Sequence, residues 1–153
     1  MGTSVGANKL RIVNKDTNGT TIAFPDVCKT PSPGGPVPIP YPNIARSKDT
    51  DKGSKKVKAE GKPICVKTST FKKSMGDEPG RVGGILSNTS RNKAEFVNCS
   101  FDVKIEGKGT PRSFDLMLHN KKNTPPFPVL QGPVIALGKR AAKSKCLVCK
   151  KDL

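Results

Sequence analysis

From residue 97 to residue 106 apolar and polar side chains alternate without a break: Val97, Cys99, Phe101, Val103 and Ile105 against Asn98, Ser100, Asp102, Lys104 and Glu106. A period of two belongs to an extended chain, so this stretch predicts a half-buried antiparallel strand with one face on the core and one in water. It runs out in Val103-Lys-Ile-Glu-Gly-Lys-Gly, which repeats Val57-Lys-Ala-Glu-Gly-Lys-Pro 46 residues earlier. Two matched strand-turn units suggest one hairpin used more than once and an internal pseudo-symmetry. Residues 57–67 read as strand, turn at Glu60-Gly61, strand, with Ile64 and Val66 on one face and Cys65 on the other. Residues 10–13 and 20–24 are short β-prone runs on either side of Asn18-Gly19, a hairpin-turn pair, and predict a first hairpin.

Between these runs the period is lost. Residues 47–56 are polar and without apolar repeat, which predicts an exposed loop, and residues 71–84 are glycine-rich and charged, too irregular for an element. Ser113-Phe-Asp-Leu-Met-Leu-His-Asn120 is the best short-helix or turn candidate, with Ser113 as a possible N-cap and Asn120 as stop. Residues 24–43 hold half of the 14 prolines. Proline fixes φ and lacks an N–H, so Pro36, Pro38, Pro40 and Pro42 force extension and blank one edge, while Val37, Ile39 and Tyr41 keep donors on the other. The stretch predicts a strand that pairs fully on one side only. A solvated polyproline II linker is the competing reading.

Composition narrows the fold class. Only 33% of the 153 residues are apolar, there is no Trp, and Gly and Pro are abundant, which favours turns and short strands in one domain of ordinary size. The expected fold is all-β: a small cone or prism of short antiparallel hairpins with long Pro/Gly-rich loops, admitting one short helix near 113–120. Lys and Arg outnumber Asp and Glu by 28 to 12, a net charge of +16. Such a charge suits an anionic partner. The lysines are scattered, however, and lack the interleaved aromatics of base stacking, so nucleic acid is disfavoured and the charge reads as a solvated coat. The amino terminus has no apolar signal region and no apolar run approaches the roughly 20 residues of a membrane helix, which predicts no membrane anchor.

Catalytic chemistry is sparse in the pattern. The chain has one histidine, His119, with Asp115 four residues before it, and no cysteine-protease signature or phosphate loop; Asp77-Glu78 and Glu60 do not pair at an acid/base spacing. The expectation is a protein that is not an enzyme. Five cysteines, at 28, 65, 99, 146 and 149, read as thiols or metal ligands rather than a disulfide framework.

Three segments carry a family likeness. Pro-Asp-Val-Cys-Lys-Thr-Pro with Pro-Val-Pro-Ile-Pro-Tyr-Pro-Asn (25–43), Lys72-Lys-Ser-Met-Gly-Asp-Glu-Pro-Gly80, and Phe101-Asp-Val-Lys-Ile-Glu-Gly-Lys108 followed by Asp115-Leu-Met-Leu-His-Asn120 resemble the PAAR-like spike-tip proteins of the type VI secretion system. The resemblance implies a structural tip that caps and sharpens a trimeric spike of the valine-glycine-repeat type, one tip per trimer, with effector proteins as further partners. It implies assembly in the bacterial cytoplasm and expulsion with the spike to the extracellular space or a target cell. The domain would span residues 1–130, leaving 131–153 as a basic tail carrying Cys146-x-x-Cys149. The literal Pro-Ala-Ala-Arg quartet is missing, and one histidine stands where parent members use several, with a cysteine, for zinc. The alternative function is a basic nucleic-acid-binding module with a zinc-knuckle-like tail.

A tapered tip has little volume for a core, and a metal cross-link is a physical substitute. Two residues between Cys146 and Cys149 let both thiolates reach one ion. His119 is the only imidazole and Cys28 the only cysteine in a proline-bounded turn, so the expected site is one structural Zn2+ on Cys28, His119, Cys146 and Cys149. A loose tail with free thiols is the other reading.

Overall fold

The structure, a computed structural model, describes residues 5–131. Every strand pairing in it is antiparallel, and the only helical piece is a single 3-10 turn at Ser47–Asp49. The all-β expectation holds. No helix among the described residues is long and apolar enough to cross a membrane.

Three two-residue hairpins repeat one design. They are β1 (Gly6–Ala7) with β2 (Leu10–Arg11), β6 (Lys58–Ala59) with β7 (Lys62–Pro63), and β11 (Lys104–Ile105) with β12 (Lys108–Gly109). Their turns are Asn8-Lys9 at φ 52° and 67°, Glu60-Gly61 at 50° and 82°, and Glu106-Gly107 at 53° and 80°. Both central residues are left-handed in each, the type I′ geometry whose twist matches a hairpin. After each hairpin the chain closes the same small turn: Thr17 N–H to Asn14 O at 3.3 Å, Ser69 N–H to Val66 O at 2.8 Å, and Asp115 N–H to Arg112 O at 3.1 Å. In each, the later residue's side chain accepts the earlier N–H, through Thr17 Oγ1, Ser69 Oγ and Asp115 Oδ2. The three units then bond in a ring. Cys65 N–H donates to Val13 O, Lys67 N–H to Gly109 O and Ser113 N–H to Arg11 O, so the first touches the second, the second the third and the third the first. Ala7, Ile12, Ala59 and Ile64 are buried at the centre with Val103 and Ile105 against them.

The second half of the fold is built on a long ribbon, β3 (Thr20–Thr30) with β4 (Val37–Arg46), to which β9 (Gly83–Gly84) adds on the far side of β3. A five-stranded sheet runs β14 (Phe127–Pro128), β13 (Leu116–Leu118), β10 (Ala94–Phe96), β8 (Thr70–Phe71), β5 (Thr50–Asp51). Its core joins Phe71, Phe96, Met117, Val13, Cys65 and Val129, with the Phe71 and Phe96 rings edge to face at 5.6 Å.

Several local expectations are corrected. Residues 10–13 do not pair with 20–24: Leu10–Arg11 folds back on Gly6–Ala7, and Gly19 docks its N–H on Ser47 Oγ at 2.8 Å while β3 pairs with β4. Residues 47–56 are not an exposed loop, because Ser47, Thr50 and Ser54 are buried and β5 joins the sheet. The 71–84 stretch is not elementless: Phe71 is fully buried in β8, and Gly83–Gly84 forms β9. The alternation over 97–105 is not one strand, since Ser100 turns inward to bond Asn8 Oδ1 and Val103 N–H, leaving Phe101 92% exposed. The short helix at 113–120 is absent. Phe114 has φ 70°, which no right-handed helix allows, and Leu116–Leu118 pairs on both sides with β10 and β14, placing Met117 in the core.

The proline ribbon is as expected. Val37, Ile39 and Tyr41 stand opposite Thr30, Cys28 and Asp26, and β4 is the edge of its sheet. Immediately past the last proline, at Ile44, the outer edge becomes usable and exchanges two bonds with Met75, at 2.7 and 2.8 Å.

Candidate functional site

The ribbon carries an inward face of Asp26 and Cys28, two residues apart and therefore on the same side of β3, and both are fully buried. A register shift between Ala23 and Asp26, at a cis Phe24–Pro25 peptide, sets this face. Asp77 reaches the same point from the Met75-Gly76-Asp77-Glu78-Pro79-Gly80 loop. That loop lies hard against the ribbon: a Cβ at Gly76, where φ is +128°, would overlap the Pro42 carbonyl, and one at Gly80 would overlap Cys28 Cβ. The two glycines thus allow the approach that brings Asp77 to Cys28.

Cys28 Sγ lies 3.6 Å from Asp26 Oδ1 and 3.7 Å from Asp77 Oδ2, with all three ligand atoms within 4.8 Å of one another. The trio is a buried Asp–Cys–Asp group able to hold a metal ion. Amides surround it. Asn43 Nδ2 donates to Asp26 Oδ2 at 2.6 Å, Asn120 Nδ2 to Asp26 Oδ1 at 3.4 Å and to Cys28 Sγ at 3.7 Å, and Asn123 Nδ2 to Asp26 Oδ1. The Arg91 N–H donates to both Asp77 oxygens, at 3.1 and 3.0 Å. Burial pushes the Cys28 thiol up to about 12, with the Asp26 and Asp77 charges adding to it. Burial also raises Asp77 to about 6, against the Arg91 N–H bond that favours its charged form.

The four residues expected as zinc ligands fall as follows. Cys28 sits in the Asp–Cys–Asp group. His119 is fully buried with Nε2 3.0 Å from Thr21 Oγ1, and it is not part of that group. Cys146 and Cys149 lie outside the described residues. The pairing of Asp115 with His119 on one helical face is corrected: Asp115 forms a two-pronged ion pair with Arg112, both contacts at 3.2 Å. Asp77, which sequence spacing compares only with Glu78 and Glu60, meets Asp26 from a strand distant in sequence. Asp26, Asn43, Asn120 and Asn123 were missed; only Asp26 had a visible signal, its two-residue offset from Cys28.

Residues 19–126 match the family of the toxin PAAR-like domain, a span that includes every residue of this cluster. The chain belongs to that family. The PAAR-like likeness read from three short segments therefore holds. A relative, the DNase toxin Tse7 of Pseudomonas aeruginosa, is 40% identical over 164 residues, covering 99% of this chain and 42% of the relative. The chain thus spans less than half the length of that toxin. No solved structure matches the chain. The expectation of a non-enzymatic protein is overturned by this relative: a DNase toxin is an enzyme, so membership of the PAAR-like family does not make the protein catalytically inert.

Proposed function

We propose that this chain is the spike-tip module of a DNase-type toxin delivered by the type VI secretion machine. The observation that carries the reading is the ring of three hairpin units, equivalent in turn geometry and each bonded to the other two. A single chain that folds with pseudo-threefold symmetry presents three similar surfaces, which is what a trimeric spike of the valine-glycine-repeat type requires of one tip. The family match and the toxin relative support the same setting. Ile22 and Phe24 stand out from one face of β3, about half exposed at 49% and 54%, and give the ribbon apolar area for docking. The protein leaves the cell with the spike, and the activity it serves is DNA cleavage.

Stoichiometry tests the reading. Purified chain titrated onto the cognate spike trimer and weighed by light scattering is expected to saturate at one chain per trimer. Saturation at three, or no complex, overturns the tip assignment.

A further inference from the structure

We infer that Asp26, Cys28 and Asp77 hold one divalent transition-metal ion of the zinc class, a site that ties the Met75–Gly80 loop to the proline ribbon. The inference stands on spacing. Zinc–sulfur and zinc–oxygen bonds of about 2.3 and about 2.0 Å at a tetrahedral angle separate S and O by about 3.5 Å. The two S···O distances are 3.6 and 3.7 Å. The contacts on the sulfur exceed what its one S–H can serve: two carboxylate oxygens approach it almost equally closely, and Asn120 Nδ2 points a donor at it.

Charge balance gives an independent argument. Two fully buried carboxylates require a counter-charge or a proton, because an unpaired buried ion is costly. Among the described residues no lysine or arginine side chain forms an ion pair with Asp26 or Asp77; the five ion pairs use other acids. A dication would offset both carboxylate charges, leaving the single charge of the bound Cys28 thiolate to the amide donors around it. The cage also has a spare ligand. Asn43 is fully buried and its Oδ1 has no hydrogen-bond partner, while its Nδ2 already touches Asp26. This unpartnered oxygen, on an amide already bonded to Asp26, is the candidate fourth ligand, and the amides of Asn120 and Asn123 with the Arg91 N–H hold the carboxylates in orientation.

The test uses the full chain with Cys146→Ser and Cys149→Ser, so that the tail thiols cannot supply the signal. This protein is titrated with Co2+ alone and, separately, with Zn2+ alone. One equivalent of Co2+ is expected, with a thiolate-to-cobalt charge-transfer band that Cys28→Ser abolishes and that Cys99→Ser leaves unchanged. Asp77→Asn, which keeps an acceptor for the Arg91 N–H, is expected to weaken Co2+ at least tenfold. Should Cys28→Ser fail to fold, the melting temperature of the tail double variant in Zn2+ against chelator decides: a metal held by the fold raises it by mass action. No stoichiometric metal in the tail double variant, a band that survives Cys28→Ser, or equal melting temperatures in Zn2+ and chelator each overturn the site.

Discussion

His119 shows how one residue's surroundings set its chemistry. Its ring is fully buried, and burial holds its pKa down at about 4, outweighing the pull of the nearby Asp26 carboxylate. Folded, it stays neutral; unfolded, it titrates near about 6.5. Between those values the unfolded chain binds a proton that the folded chain refuses. The contribution of His119 is therefore complete above the window and is lost as pH falls through it, by at most roughly 3 kcal/mol. With no cation on it, Asp77 works in the opposite sense, because its raised pKa of about 6 lets the folded chain keep a proton that the unfolded chain releases. Comparison with His119→Gln, whose amide can still meet Thr21, isolates the imidazole. The melting temperature of the native chain is expected to fall more steeply from pH 7 to pH 4.5 than that of the variant. Parallel slopes would refute this account. Residue identity alone could not foretell it: Cys28 and Asp26 are joined by strand geometry within one stretch, whereas His119 and Asp77 meet Thr21 and Cys28 on β3, a strand far away in sequence whose docking against them no local period encodes.

Elements were legible where the backbone chemistry is absolute. Any strand made by the alternating prolines could pair on one side only, because a missing N–H cannot be supplied by context, and β4 is an edge strand with Pro38 and Pro40 opposite Lys29 and Val27. The alternation at 97–105 was less reliable. A period of two reports which side chains prefer burial, but the inward turn of Ser100 is decided by its hydroxyl bonds to Asn8 and Val103, and those are tertiary. The prolines have a further consequence. On a strand whose Val37 and Ile39 are already exposed, at 44% and 37%, a free row of donors would invite a second chain. Replacing Pro38 and Pro40 by Thr is expected to leave the fold intact, at a cost of about 1 kcal/mol for the freer unfolded chain, while making the protein self-associate in a concentration-dependent way. Sedimentation over a range of concentrations checks it. A strictly monomeric double variant would show that the prolines do not protect this edge.

At the scale of the molecule, two of the three equivalent hairpins could be seen in advance because both spell Glu-Gly at the turn. The third, Ala7-Asn8-Lys9-Leu10, reaches the same left-handed pair with Asn-Lys and so shares geometry without sharing letters. The ring it completes is joined to the second core by two short stretches: Ile12 and Ile64 lie in the hairpin cluster, and Val13 and Cys65, the next residues, lie in the cluster around Phe71. Adjacent residues of an extended chain point to opposite sides, so these two stretches form the shared wall of both cores. They are tied to each other by the Cys65 N–H on the Val13 carbonyl, and the Cys65 carbonyl accepts the Thr110 hydroxyl at 3.0 Å from beyond the β11–β12 hairpin. Opening either core exposes that wall to the other. The two halves are therefore expected to unfold as one unit. Ile64→Ala should cost about 2–5 kcal/mol and Phe71→Ala about 3–5 kcal/mol, each lowering the same single transition whether it is followed by circular dichroism or by hydrogen exchange in either half. A melt that splits into two steps in either variant, with one core lost while the other stays protected, would show that the shared wall does not couple them.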